Sequence, residues 1–158
     1  MIIPPEVILN SIDDFSILFF KDSTQDVNAP PHFWVIFPVS PVLRFSISII
    51  TSKVEKRKIY YSRTNTKALK ALVEIGNDIF SFLDRKIESV IDCNRMELLS
   101  KDELKKRIDP SGPCEIKTVN EKFPPFLKKN IFSAIDQSPL IPPDIKKAIK
   151  NIHKDHTT

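Results

Sequence analysis

Residues 32–52, HFWVIFPVSPVLRFSISIITS, constrain this chain more than any other stretch. Residues 33–37 are apolar without a break, which predicts a strand covered on both faces. Pro38 and Pro41 lack the N–H that a sheet ladder needs, so 38–41 should be a turn or a sheet margin. From 43 to 50 the chain alternates Leu43, Phe45, Ile47 and Ile49 with Arg44, Ser46, Ser48 and Ile50. That period of two predicts a half-buried antiparallel strand. Together the two runs predict a hairpin at the centre of a sheet.

The segment directly after the hairpin is strongly basic. Between 53 and 70, Lys53, Lys56, Arg57, Lys58, Arg63, Lys67 and Lys70 stand against Glu55 alone, a net +6 where the whole chain carries +4. The remainder is therefore acidic on balance, and the basic run is a local feature suited to an anionic partner. Within it, 58–62 (KIYYS) reads as a strand and 62–66 as a loop. Val73 and Ile75 before Gly76 suggest a further strand, and Gly76-Asn77-Asp78 a turn. Residues 88–98 read as one more strand with polar interruptions.

Helical signals dominate the last third. Ser100 and Glu103 have capping-box spacing, so a short helix should run to about Ile108 and end in the Asp109-Pro110-Ser111-Gly112-Pro113 stretch. Pro125 suits a first turn, with Leu127, Ile131, Phe132 and Ile135 on one face. After a break over 138–143, Ile145, Ala148, Ile149 and Ile152 recur at helical spacing opposite Lys146, Lys147 and Lys150. These faces suit core packing, with a homodimer contact as the alternative. Near the start, 11–20 contain a strand and 21–31 a loop. The expected class is α+β: a small antiparallel sheet or β-barrel, a short helix and two C-terminal amphipathic helices. One domain is expected, with an extension at 1–31, a β-rich core at 32–98, a helical part at 99–153 and a frayed tail at 154–158.

Composition removes several function classes. With only Gly76 and Gly112, the chain has neither a phosphate-binding P-loop nor a GxGxxG fingerprint. Three histidines and the separated Cys93 and Cys114 leave little to ligate zinc. Asp78, Asp84 and Asp92 have no spacing that assembles a magnesium site. No metal or other cofactor is expected. No apolar run nears the ~20 residues of a membrane span, and the cysteines read as reduced thiols of a cytoplasmic protein.

The run FWVIF, a loop and SISIITSK, with the later EIGNDIFSF, SVIDCNRMELLS and SAIDQSPLIPPDIKK, resembles the MazF/PemK-like toxin family and uncharacterised bacterial proteins related to it, over about residues 32–152. The resemblance implies an SH3-like barrel and a metal-independent endoribonuclease in which the ribose 2′-hydroxyl attacks the adjacent phosphate. Thr51 matches the family's hydroxyl at the strand end, with Ser52 beside it. Beyond the motif, Arg44, Lys53 and Arg57 are candidate cations by proximity, Arg57 foremost. His32, whose unperturbed pKa is near ~6.5, is a candidate acid or base. Arg44, Lys53, Lys56, Lys58, Tyr60, Tyr61 and Arg63 are candidates for tracking RNA and stacking on its bases. An antitoxin or other protein is the further partner implied. The strand is entered through Pro31-His32 rather than the Arg-Pro of the toxins, and no Gly-Asp start precedes it. Those differences favour an alternative, a non-catalytic nucleic-acid or protein interaction module of the same fold. The bland readings also stand: His32 as a polar strand cap, Thr51 and Ser52 as turn formers, and the basic run as a solvated sheet edge.

Overall fold

The computed structural model describes residues 3–39, 44–76, 78–83, 87–118 and 122–157, the last six as backbone. In chain order they form α1 (Pro5–Asn10), β1 (Ser16–Phe20), β2 (His32–Val39), β3 (Arg44–Thr51), α2 (Val54–Thr64), β4 (Leu72–Ile75), β5 (Ser89–Asp92), β6 (Glu97–Ser100), α3 (Lys101–Arg107), β7 (Cys114–Ile116), α4 (Pro125–Gln137) and α5 (Pro143–Thr157). Short 3-10 turns occupy Thr66–Ala71 and Cys93–Arg95. The class is α+β. Strand order is β4-β5-β3-β2-β1-β7, with β6 also on β3, so of the two expected forms the strands adopt an open antiparallel sheet.

The chain divides into two compact units, Met1–Ile47 with Glu97–Phe123, and Ser48–Met96 with Pro124–Thr158. In the first, β1 lies between β2 and β7, with Leu18 opposite both Trp34 and Ile116. Ile17, Leu18, Phe20 and Ile36 are wholly buried. Phe15 stacks on Phe37 at 4.2 Å between ring centres, and Phe20 on Trp34 at 5.1 Å. The buried polar centre of this unit is Asp22, 2% exposed. Arg107 forks onto both its carboxylate oxygens and also reaches Glu97. The Thr24 N–H and hydroxyl donate to Asp22 Oδ1 at 2.8 and 2.7 Å. Burial raises the Asp22 pKa, but the hydrogen bonds from Arg107 and Thr24 outweigh it and leave the carboxyl below its ordinary value.

The second unit packs β4 on β5 and the end of β3 on β5, with Thr51 opposite Val90. Leu127, Ile131, Phe132 and Ile135 of α4 are buried here, as the helical spacing required. Pro125 is at the first turn of α4. The α3 capping box forms as expected, with Ser100 Oγ accepting from the Glu103 N–H at 3.1 Å and the Glu103 carboxylate accepting from the Ser100 N–H at 3.1 Å. Both cysteines are free. Among the described residues no helix is long and apolar enough to cross a membrane.

Several expectations need correction. β3 is buried on both faces rather than one: only Arg44 of its eight residues is exposed, and Ser46 and Ser48 are small enough to be enclosed as fully as Phe45 and Ile47. The supposed strand at 58–62 is part of α2, and so are Ser62 to Thr64 of the expected loop. Residues 88–98 are two strands, β5 and β6, separated by the turn Cys93–Arg95. A 3-10 turn precedes β4. Pro38 and Val39 still belong to β2; residues 40–43 and Asn77 lie outside those described. α5 continues through Thr157 where a frayed tail was expected. α1 and β7 had no counterpart in the sequence reading.

Candidate nucleic-acid interface

The basic segment is organised by helix formation. Glu, Lys and Arg are good helix formers, and Val54 and Tyr61, seven residues apart, supply an inward stripe of two buried side chains. Thr51 prepares the entry: its Oγ1 accepts from the Lys53 N–H at 3.1 Å, and its side chain is buried. The turn-forming role of the Thr51 hydroxyl is therefore realised, while Ser52 beside it is exposed.

On the inward side of α2 stands a fully buried carboxylate, Asp92. Its Oδ2 accepts from the Tyr61 hydroxyl at 2.7 Å and from Arg57 Nη1 at 3.0 Å. Its Oδ1 accepts from the Asn94 N–H at 3.1 Å, which starts the turn Cys93–Arg95. Arg95 Nε lies 4.0 Å away on the exposed side. A carboxylate buried without such donors would be costly, and three hydrogen bonds with an adjacent cation offset that cost. Burial, then the hydrogen bond to Asp92 and its charge, push the Tyr61 hydroxyl up to about 12. Burial likewise raises the neighbouring Cys93 thiol far above its ordinary value. Neither group is a nucleophile or base near neutral pH.

The outward side is different. Lys56, Ile59, Tyr60 and Arg63 are exposed and follow one another at helical spacing, with Lys53 at the helix entry. Among the described residues Lys53, Lys56 and Arg63 enter no salt bridge, whereas Lys58 pairs with Glu74 at 2.9 Å. That pairing raises the Lys58 pKa through the Glu74 hydrogen bond and charge. Tyr60 is 50% exposed; the Arg95 guanidinium lies 5.7 Å from its ring centre, and Tyr61 meets it edge-on at 5.2 Å. The ring is thus held in place with one flank open.

The proposed residues divide accordingly. Lys53, Lys56, Tyr60 and Arg63 lie on the exposed side of the second unit. Tyr61 does not stack on a base: it is 1% exposed and bonded to Asp92. Arg57 is committed to Asp92, and Thr51 to its turn. His32, half-buried opposite Phe20 at the start of β2, and Arg44, exposed opposite Ser100 at the start of β3, belong to the first unit. Arg95, Asp92 and Asn94 were missed as members of this region. The readable sign was Asp92-Cys93-Asn94-Arg95, an aspartate whose side chain opens a turn and an arginine three residues on. Among the described residues no three His, Cys, Asp or Glu side chains cluster as a metal site; Asp84 lies outside them. No family model matches the chain, and no curated protein matches it.

Proposed function

We propose that the chain is a nucleic-acid-binding module that takes single-stranded RNA along the exposed face of α2, and that it acts by binding rather than by cleavage. The observation that carries this reading is the segregation on one helix: Lys56 and Arg63, without counter-ions among the described residues, flank the half-exposed Tyr60, while Arg57 and Tyr61 turn inward to Asp92. Free cations track a phosphate backbone and an exposed ring stacks on an unpaired base. Two of the groups a transesterification would draw on, the Thr51 hydroxyl and the Arg57 guanidinium, are already bonded within the chain. The resemblance to the MazF/PemK-like toxins fits this reading as a related RNA-directed module in the cytoplasm, with an antitoxin-like protein as a second partner.

The test is binding of fluorescent mixed-sequence RNA in EDTA, followed by anisotropy over a range of salt and then by inspection of the RNA. Salt-sensitive binding of RNA recovered intact is expected. Each phosphate contact contributes about −0.7 to the slope of log affinity against log salt on single strands, so Lys56→Glu with Arg63→Glu should flatten that slope by about 1.4. Unchanged binding by that variant would reduce the basic face to a solvated surface. Cleaved RNA would put the endoribonuclease reading first.

A further inference from the structure

A second surface, in the first unit, is unused by RNA binding on α2. β7 ends the strand order and among the described residues pairs only with β1. Lys117 donates its N–H to the Ile17 carbonyl at 2.8 Å, so positions 117 and 115 face β1 with their backbone groups. By the same alternation, Cys114 and Ile116 direct their N–H and C=O groups to the open edge. Beside that edge, between α1 and β7, lies a cavity of about 750 Å³ lined by Ile3, Val7, Ile8, Pro113 and Ile116 among others. Ile3 and Val7 are about half exposed, at 51% and 55%. A short, unpaired edge flanked by apolar surface invites another strand.

The charges on β7 select which strand. Glu115 and Lys117 lie on one face two residues apart, ion-paired at 2.6 Å, with the Lys117 ammonium 5.3 Å from the centre of the Phe19 ring. Antiparallel pairing of this edge with itself has two close registers that use the outward groups of 114 and 116. Centred on Glu115, the pairing sets two glutamates directly opposite, which is destabilising. Centred on Ile116, it sets Glu115 opposite Lys117 of the second copy, twice by symmetry, and Ile116 opposite its own counterpart. Of these two registers only the one centred on Ile116 is self-complementary.

We propose that the β7 edge is a homodimer contact in which two copies pair antiparallel about a two-fold axis through Ile116, with the apolar groove beside α1 closed by the second copy. Strands this short bury less than the ~1,200 Å² of a standard interface on their own, so the dimer is in reversible, concentration-dependent equilibrium with monomer. The proposal is independent of nucleic-acid binding.

Sedimentation equilibrium of the full chain over a wide concentration range tests it, with Glu115→Lys, Lys117→Glu and the double exchange. Each single variant places like charges opposite one another and should weaken the dimer by roughly ten-fold or more. The double exchange restores opposite charges both within and between copies and should return to within about three-fold of the original. A urea titration of each variant checks that folding is intact. A chain monomeric at every concentration overturns the proposal and leaves the edge to a different partner. A dimer indifferent to all three variants overturns it by locating the contact elsewhere, and single-variant loss without recovery in the double overturns the register.

Discussion

Arg57 and Arg63 stand on the same helix and have opposite fates. Arg57 leans into the second unit and donates to Asp92, a carboxylate with no exposure at all, while Arg63 stands in solvent with no acidic partner among the described residues. The same division separates Tyr61 from Tyr60, while Lys58 is paired with Glu74 at the surface and Lys56 has no acidic partner among the described residues. A charge count over the segment treats all of these as one basic patch. The fold turns Arg57 and Tyr61 into internal architecture and leaves Lys56, Tyr60 and Arg63 for a partner, and substitutions on the two faces should fail in different ways.

The largest effect is expected from Asp92→Ala, which strips the acceptor from both Tyr61 and Arg57. Breaking a buried pair from one side typically costs about 3–5 kcal/mol, so the urea midpoint should drop sharply. A loss below about 1 kcal/mol would show that the inward face is not structural. Next comes Lys56→Glu with Arg63→Glu, for which RNA affinity at low salt should fall by about ten-fold or more while stability moves by less than about 0.5 kcal/mol. A matching loss of stability would erase the distinction between the faces.

The adjacent tyrosines give a sharper comparison at smaller scale. Tyr60→Ala should remove about 1–3 kcal/mol of RNA binding and little stability. Tyr61→Phe should remove about 1–2 kcal/mol of stability and leave binding unchanged. Interchanged outcomes would refute the assignment. The Tyr61 hydroxyl also sets a pH dependence. Its folded value, about 12, lies above the ordinary 10.0, so its contribution is complete below the ordinary value and is lost as pH rises towards 12. The stability gap between the parent and Tyr61→Phe should be flat through neutrality and close in that alkaline range. The smallest effect belongs to the other unit. Asp22 has a lowered pKa, so its contribution is present above the ordinary carboxylate value of 3.8 and disappears as pH falls through the folded value. Comparing acid unfolding of the parent with Asp22→Asn should show this in the parent alone.

Elements with local signals were legible in the sequence. The Ser100–Glu103 box, Pro125 at a first turn and the apolar faces of α4 and α5 each carry their own capping or spacing chemistry. Of the apolar run 33–37, Trp34 to Phe37 likewise became the buried stretch of β2. α2 was misread because Ile59, Tyr60 and Tyr61 together have the look of a strand, although Ser52 and Glu55 stand at helix-start spacing. Burial of Tyr61 on Asp92 fixes which side of that helix turns inward, and no window of local sequence contains both residues. β7 was invisible for a similar reason: Cys114-Glu115-Ile116 alternates, but three residues are too short a run to signal a strand, and they become one because β1 offers an edge. The candidate site was half legible. The basic residues were visible, but which of them face outward depends on an aspartate thirty-five positions from Arg57.

Asn94 carries a consequence for how the chain folds in time. Its side-chain amide donates to the Ala68 carbonyl at 2.8 Å and accepts from the Ser138 hydroxyl at 2.7 Å, joining segments 26 and 44 residues away. Ser138, fully buried, in turn accepts from the Leu140 N–H at 3.2 Å at the bend between α4 and α5. Clasping loops of that length carries an entropic cost that local helices avoid, so these bonds should form after the transition state has been crossed. Asn94→Ala should then leave the refolding rate nearly unchanged and accelerate unfolding, making this small amide a latch on the lifetime of the native state.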